Sequence, residues 1–155
     1  MKKVLIAYFS STGKTEKMAQ YIAEGIRFSG QEAVVKNIDD IKGAADLAGY
    51  DGYIFGSPTF SIDLPKPVKT FLSLTQKAQL GGKSGGAFGP YLHDVGYKHD
   101  AYAATIILDS LEKENKMKPF ELGPFNLQEN IVETTEGIKA CQEYGKVFGE
   151  DLYDK

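Results

Sequence analysis

The sequence predicts a doubly wound α/β fold built on a parallel β-sheet. Short apolar runs such as "VLIAYF" and "GYIFGS" show no polar alternation, which is typical of strands that helices cover on both faces. These runs alternate with segments whose apolar residues recur at steps of three and four, the spacing of amphipathic helices. Because no repeat or linker interrupts the 155 residues, we expect a single domain over residues 1–155.

The first half of the chain predicts three strands and two helical connections. "VLIAYF" is the first strand, and a helix follows from Gly13 to Phe28, closed by Gly30. "EAVVKNI" is a short second strand, "DDIKGAADLAGY" a short helical connection, and "GYIFGS" the third strand. The buried stripe of the first helix consists of Met18, Ala19, Ile22, Ala23 and Ile26.

The second half continues the alternation of strands and helices. A helix starts near Pro67, "SGGAFG" is a glycine-rich fourth strand, and the fifth strand lies within "KPFELGPFNL". Two prolines place that fifth strand at a sheet edge, because proline cannot donate to a central ladder. The helical stripes comprise Val68, Phe71 and Leu72, then Ala103, Ile106, Ile107 and Leu111, and finally Ile138, Cys141, Gly145, Phe148 and Leu152.

Composition excludes several classes of protein. Eighteen basic and 21 acidic residues give a net charge of −3, and no cluster of Lys or Arg is long enough to follow a nucleic-acid backbone. A single cysteine allows neither an internal disulfide nor a Cys-rich metal site, which fits a reducing compartment. The apolar run Val4 to Phe9 is too short for a signal peptide or a membrane span. We therefore expect a cytoplasmic protein without nucleic-acid or membrane partners.

The segment "SSTGKT" after the first strand predicts a phosphate-binding loop. An ATP- or GTP-binding loop needs a first glycine where this chain has Tyr8, and no predicted strand ends in the Asp that would hold magnesium. A strand, a hydroxyl-rich loop and a helix N-terminus remain, and backbone N–H groups there attract phosphate. Capping of the helix by Thr12 is the alternative, but it explains only one hydroxyl. The candidate residues are Ser10, Ser11, Thr12, Gly13 and Thr15, with Lys14 as an unnecessary charge partner.

Two further loops should meet this one, because ligands of such sheets lie beyond the carboxyl ends of the strands. They are "SPTFSIDLP" after the third strand and "GPYLHDVGYKHD" after the fourth. Aromatic residues lie at their tips: Phe60 in the first, and Tyr91 and Tyr97 in the second. Local core packing is the alternative role for these rings. Their placement on both flanking loops favours a flat aromatic ligand between them.

These segments resemble flavodoxins over the whole chain. "IAYFSSTGKTEKMAQYI" is similar to the phosphate-loop signature of that family, with Tyr8, Gly13 and Thr15 at the expected places and Ala7 smaller than usual. "YDGYIFGSPTF" and "GGAFGPY" look most like the flavodoxin module of flavodiiron proteins, although the chain has no room for their metal domain. The resemblance implies a flavodoxin-like, five-stranded parallel sheet of order 2-1-3-4-5, FMN as the cofactor, and no metal.

The resemblance also implies roles for individual residues. Ser10 to Thr15 would hold the FMN phosphate, and Pro58, Thr59 and Phe60 would line one face of the isoalloxazine ring. Residues of the other loop would line the opposite face: Gly89, Pro90, Asp94 and Tyr97, with Tyr91 competing with Tyr97 as the stacking ring. The implied function is that of a monomeric low-potential electron carrier with transient partners, a reductase and an electron acceptor, and no catalytic residue. The alternative is an NAD(P)H-dependent FMN or quinone reductase of the same fold.

Two departures from flavodoxins affect the expected redox behaviour. Ser61 stands where flavodoxins usually have glycine, and a positive φ there costs a non-glycine residue about 1–3 kcal/mol. The charges of the flavin loops nearly cancel, which weakens repulsion of a reduced, anionic flavin. Those charges are Asp63, Asp94 and Asp100 against Lys66 and Lys98, with His93 and His99 able to protonate. We therefore expect little one-electron-reduced flavin to accumulate during stepwise reduction. The Ser61→Gly variant should accumulate more of this species than the unmodified protein, and absorbance at long wavelength measures it in both.

Overall fold

The computed structural model describes residues 1–60, 63–92 and 102–154. Its central feature is a parallel β-sheet. Its strands lie in the order β2-β1-β3-β4-β5, and β6 also pairs with β4. Every pairing of these strands is parallel. The predicted order 2-1-3-4-5 is confirmed. The strands are β1 (Lys3–Tyr8), β2 (Glu32–Asn37), β3 (Gly52–Gly56), β4 (Ser84–Tyr91), β5 (Lys118–Pro119) and β6 (Phe125–Gln128).

Helices cover both faces of this sheet, as the apolar strands predicted. The side chain of Leu5 in β1 lies in one buried cluster with Phe71 and Ile107, whereas the next residue, Ile6, lies in a second cluster with Ile22 and Phe148. Successive side chains of a strand point to opposite faces, so β1 contributes to both layers. No helix among the described residues is long and apolar enough to cross a bilayer. The helices are α1 (Lys14–Phe28), α2 (Lys66–Thr75), α3 (Ala103–Lys113) and α4 (Thr135–Asp151).

Helices α1 and α4 approach each other closely because glycines lie at their contact. A Cβ atom placed on Gly145 would lie 2.0 Å from the backbone oxygen of Ile22, and one on Gly25 would lie 1.9 Å from that of Gln142. Real Cβ atoms essentially never come so close to another heavy atom. The N-termini of both helices consequently lie side by side, near the carboxyl ends of the strands.

The edge of the sheet differs from the prediction of one fifth strand. Two short strands, β5 and β6, pair with the beginning and the end of β4, respectively. Between them the chain turns, with the Gly123 N–H donating to the Phe120 carbonyl at 2.9 Å and Gly123 at a φ of 78°. Pro119 and Pro124 lack the N–H groups that a continuous ladder would need, so the strand is divided at these residues.

The helical connection after β2 and the end of the last helix also differ in detail. The connection consists of two 3₁₀ turns, Ile38–Asp40 and Ala44–Leu47, so its predicted helical character is confirmed. Helix α4 ends at Asp151, and Leu152 lies in the 3₁₀ turn that follows it. Leu152 nevertheless remains buried in the same cluster as the rest of the stripe.

Cys141 is fully buried on the inner face of α4, as its place on the apolar stripe predicted. Burial raises the pKa of its thiol to about 12. We expect the folded protein at pH 8 to resist a disulfide thiol reagent that labels the unfolded chain completely. Because the unfolded thiol ionises first, the free energy of unfolding should fall as pH rises from about 9 to 12. Labelling of the native protein faster than it unfolds would contradict the buried placement.

Candidate functional site

The predicted site residues that the structure describes gather at the carboxyl edge of the sheet. β1 lies between β2 and β3, so the order of the strands reverses at β1: β2 lies on one side of it, and β3 and β4 lie on the other. Such a reversal opens a crevice at the strand ends where ligands of doubly wound folds bind, a rule for which flavodoxin is itself a standard example. The loops after β1 and β3 and the end of β4 border this crevice. The predicted site residues on these segments are Ser10 to Thr15, Pro58 to Phe60, and Gly89 to Tyr91.

The loop after β1 is folded by short-range hydrogen bonds. Its first residue, Phe9, donates its N–H to the carbonyl of Gly56 at 3.0 Å, which ties the loop to the end of β3. The Oγ of Ser10 accepts the N–H of Gly13 at 3.0 Å. Gly13 has a φ of 91°, a conformation that favours glycine. Ser11 and Thr12 are exposed at the tip, so their hydroxyls are free to meet a ligand.

The first turn of α1 presents backbone N–H groups without acceptors in the helix. The first helical bond runs from the Lys17 N–H to the Gly13 carbonyl at 3.1 Å, so the N–H groups of residues 14–16 precede it. Gly13 is the N-cap and has no side chain to accept from them. The alternative of a cap by Thr12 is therefore wrong, because the tight turn from Ser10 places Gly13 in that position. The partial positive charge of this helix start is available to an anion.

The ends of β3 and β4 are locked together behind the loop. The Ser57 N–H donates to the Phe88 carbonyl at 3.1 Å. A Cβ atom on Gly89 would lie 2.0 Å from the Ser57 carbonyl oxygen, so only glycine fits there. Gly89 and Pro90 are buried within β4, where they pair with Asn126 and Leu127. These two residues are therefore fixed within the sheet, next to the loop after β3.

The loop after β3 is anchored to the start of α3. Thr59 Oγ1 accepts the N–H of Ala103 at 2.9 Å, and this bond caps α3 from another part of the chain. Phe60 remains 43% exposed, and its ring meets that of Phe9 edge-on, with 6.5 Å between the ring centroids. The backbone groups of Phe60 and Asp63 exchange two hydrogen bonds of 2.8 Å. The partly exposed Phe60 thus has its backbone bonded to Asp63 and its ring in contact with Phe9.

Tyr91, at the end of β4, is half-buried and stacks on a second tyrosine. The centroids of its ring and that of Tyr102 are 4.5 Å apart, with an interplanar angle of 22°. Tyr102 is 2% exposed, directly before α3. Sequence reasoning missed this supporting ring, for which the only signal was its position next to a helix start. The contact orients Tyr91 from one side.

Two groups of charged side chains near the described loops form ion pairs. The ammonium of Lys14 forms a hydrogen-bonded ion pair with the carboxylate of Glu133, which raises the pKa of Lys14 and lowers that of Glu133. In the second, Lys69 Nζ of α2 lies 2.7 Å from an oxygen of Asp63 and holds the pKa of that carboxyl below its usual value. Sequence reasoning missed Glu133. Its position before Thr134, the N-cap of α4, was the available signal.

Several predicted residues lie outside the described part of the chain. They are Ser61, Asp94 and Tyr97, together with the charged residues His93, Lys98, His99 and Asp100. The choice between Tyr91 and Tyr97 as the stacking ring therefore stays open, and the effect of Ser61 stays a prediction. Within residues 1–60, 63–92 and 102–154, no group of three or more His, Cys, Asp or Glu side chains is arranged to hold a metal ion.

The strand order defines a doubly wound α/β protein, and the start of α1, which has no side-chain cap, lies at its switch point. The Flavodoxin domain family model matches residues 5–125 of this chain. The chain therefore belongs to the flavodoxin family, as the resemblance of its phosphate loop implied.

Individual relatives agree with this assignment. A Synechocystis sp. protein named diflavin flavoprotein A 3 is 30% identical over 154 residues, which are 96% of this chain and 24% of that protein. Oxidised flavodoxin 2 from Bacillus cereus is 28% identical, with a TM-score of 0.80 over 96% of this chain and 99% of its own. The flavodiiron protein from Giardia intestinalis shares the fold at 21% identity, with a TM-score of 0.83 over 99% of this chain and 37% of its own. The chain thus spans about a quarter of the Synechocystis relative.

Proposed function

We propose that this protein binds FMN at the carboxyl edge of its sheet and serves as a low-potential electron carrier. The observation that carries the proposal is the start of α1, where N–H groups of residues 14–16 without helical acceptors adjoin the hydroxyls of the preceding loop. Such a cradle fits one terminal phosphate. Membership of the flavodoxin family supports FMN as the ligand.

The residues present fit the rest of this cofactor as well. Ser10, Ser11, Thr12 and Thr15 would donate to the phosphate, and the aromatic Phe60 would cover one face of the ring system. Tyr91 or Tyr97 would cover the other face, with Tyr102 as support for Tyr91. When bound, FMN supplies the exchange of electrons, while the protein supplies binding, stacking and electrostatics. The hydrogen bond between Thr59 and Ala103 ties the loop after β3 to the start of α3.

We propose further that residues 1–155 form one domain that acts as a monomer in the cytoplasm. Its partners are proteins, a reductase and an electron acceptor, that dock transiently and exchange electrons with the flavin. Neither nucleic acid nor a membrane takes part. The single cysteine supports a reducing compartment, and the net charge of −3 supports the exclusion of nucleic acid.

The visible spectrum of the purified protein and mass spectrometry of its released cofactor test this proposal. We expect a yellow protein that releases FMN, because the loop after β1 offers a place for one phosphate only. FAD as the main released species, or a protein that stays colourless after incubation with FMN, would contradict it. Steady oxidation of NADPH without an added reductase would favour the alternative, an NAD(P)H-dependent FMN or quinone reductase.

A further inference from the structure

A carboxylate lies beside the predicted phosphate loop and occupies its only lysine. Glu133 pairs with the ammonium of Lys14 through one carboxylate oxygen, and its other oxygen lies 3.7 Å from Lys17 Nζ. Lys14 and Lys17 are one turn apart in α1 and therefore lie on the same side of the helix. One carboxylate thus lies close to two lysines next to the predicted phosphate loop.

The backbone positions Glu133 at this point. The residue lies between Val132, which is fully buried, and Thr134, whose hydroxyl caps α4 by accepting the N–H of Gly137 at 3.1 Å. α4 in turn packs closely against α1 through Gly145. Glu129 adds a second carboxylate close enough to raise the pKa of Lys14. The carboxylates of Glu133 and Glu129 therefore place negative charge beside the start of α1, close to where α4 begins.

Lys14 has an alternative partner within reach. It is the first residue of α1, and its backbone N–H belongs to the uncapped helix start. Side chains of a helix lean toward its N-terminus, so a released ammonium can turn to a phosphate held by residues 10–15. The 29% exposure of the Lys14 side chain leaves it room to do so.

We propose that Glu133 holds Lys14 away from the phosphate loop, so that Glu133 is a positioning residue that limits the positive charge available to a bound phosphate. This inference rests on the proposed function, since it concerns the phosphate of FMN. A loop that binds through neutral donors holds its ligand with little dependence on salt. A loop with a free lysine binds more tightly at low ionic strength and loses that advantage as salt screens the charge.

Titration of FMN and riboflavin into the flavin-free protein, at low and at high salt, tests the role of Glu133. In Glu133→Gln, FMN should bind about three- to tenfold more tightly than in the unmodified protein at low salt, and equally at high salt, as expected for exposed charges. In Lys14→Gln, the unpaired carboxylate should weaken FMN binding by a similar factor. The double variant should bind FMN about as tightly as the unmodified protein. Riboflavin, which has no phosphate, should bind all four proteins equally.

Glu136→Gln is the matched control. It also removes one negative charge near the start of α4, but from a carboxylate that does not pair with Lys14. It should leave FMN affinity within about twofold of that of the unmodified protein. Three results would overturn the inference: no tighter binding in Glu133→Gln, the same gain in Glu136→Gln, or a double variant as weak as Lys14→Gln. The last result would make Lys14 a direct phosphate ligand. Failure of the unmodified protein to bind FMN would instead contradict the proposed function itself. That outcome differs from the three above, in which the unmodified protein binds FMN.

Discussion

Replacement of both Thr12 and Thr15 by alanine should weaken FMN binding about 10²- to 10⁴-fold. Each hydroxyl is expected to donate one hydrogen bond to the charged phosphate, and such a bond contributes about 1.5–3 kcal/mol. Thr12 is exposed at the tip of the loop, and Thr15 is buried in the first turn of α1. The measurement is the dissociation constant of FMN from quenching of its fluorescence in the flavin-free protein.

Riboflavin and an unrelated threonine provide the controls for this variant. Riboflavin carries the same ring without the phosphate, so its affinity should stay within about threefold of the original value. Thr70→Ala removes an exposed hydroxyl from α2 and should change neither affinity. Equal losses for FMN and riboflavin would mean that the variant disturbs the whole site, and would count against the phosphate role of these residues.

Gly145→Ala should destabilise the protein by about 3 kcal/mol, although alanine favours helices over glycine by about 1 kcal/mol. The new methyl group would lie 2.0 Å from the Ile22 carbonyl oxygen and 3.1 Å from the Ile26 nitrogen. Both are backbone atoms of α1, so no side-chain rotation relieves the clash and the helices must separate. The measurement is the free energy of unfolding from urea titration.

Gly43→Ala is the matched control for this steric effect. Gly43 has an extended backbone with a φ of −160°, and an added Cβ meets no atom within 4 Å. Its free energy of unfolding should stay within about 0.5 kcal/mol of the original. A Gly145→Ala variant as stable as the unmodified protein would show that α1 and α4 are able to move apart without loss of packing.

The sequence alone determined the fold class, and it predicted where a ligand site should lie. Apolar runs and helical stripes are local patterns, so "VLIAYF" and the stripe around Ile22 were enough to predict β1 and α1. "SSTGKT" predicted the phosphate loop for the same reason, because a strand, a hydroxyl-rich turn and a helix start are adjacent in the chain. Even the edge position of the last strand followed from two prolines, although its division into β5 and β6 did not.

Only the tertiary structure decided which distant groups meet at that site. Glu133 reaches Lys14 across 119 positions, and Thr59 caps α3 at Ala103 across 44 positions. Such contacts depend on where strands and helices end in space, and no local pattern encodes those end points. The close approach of Gly145 to Ile22 is of the same kind, because an interhelical distance depends on both helices together.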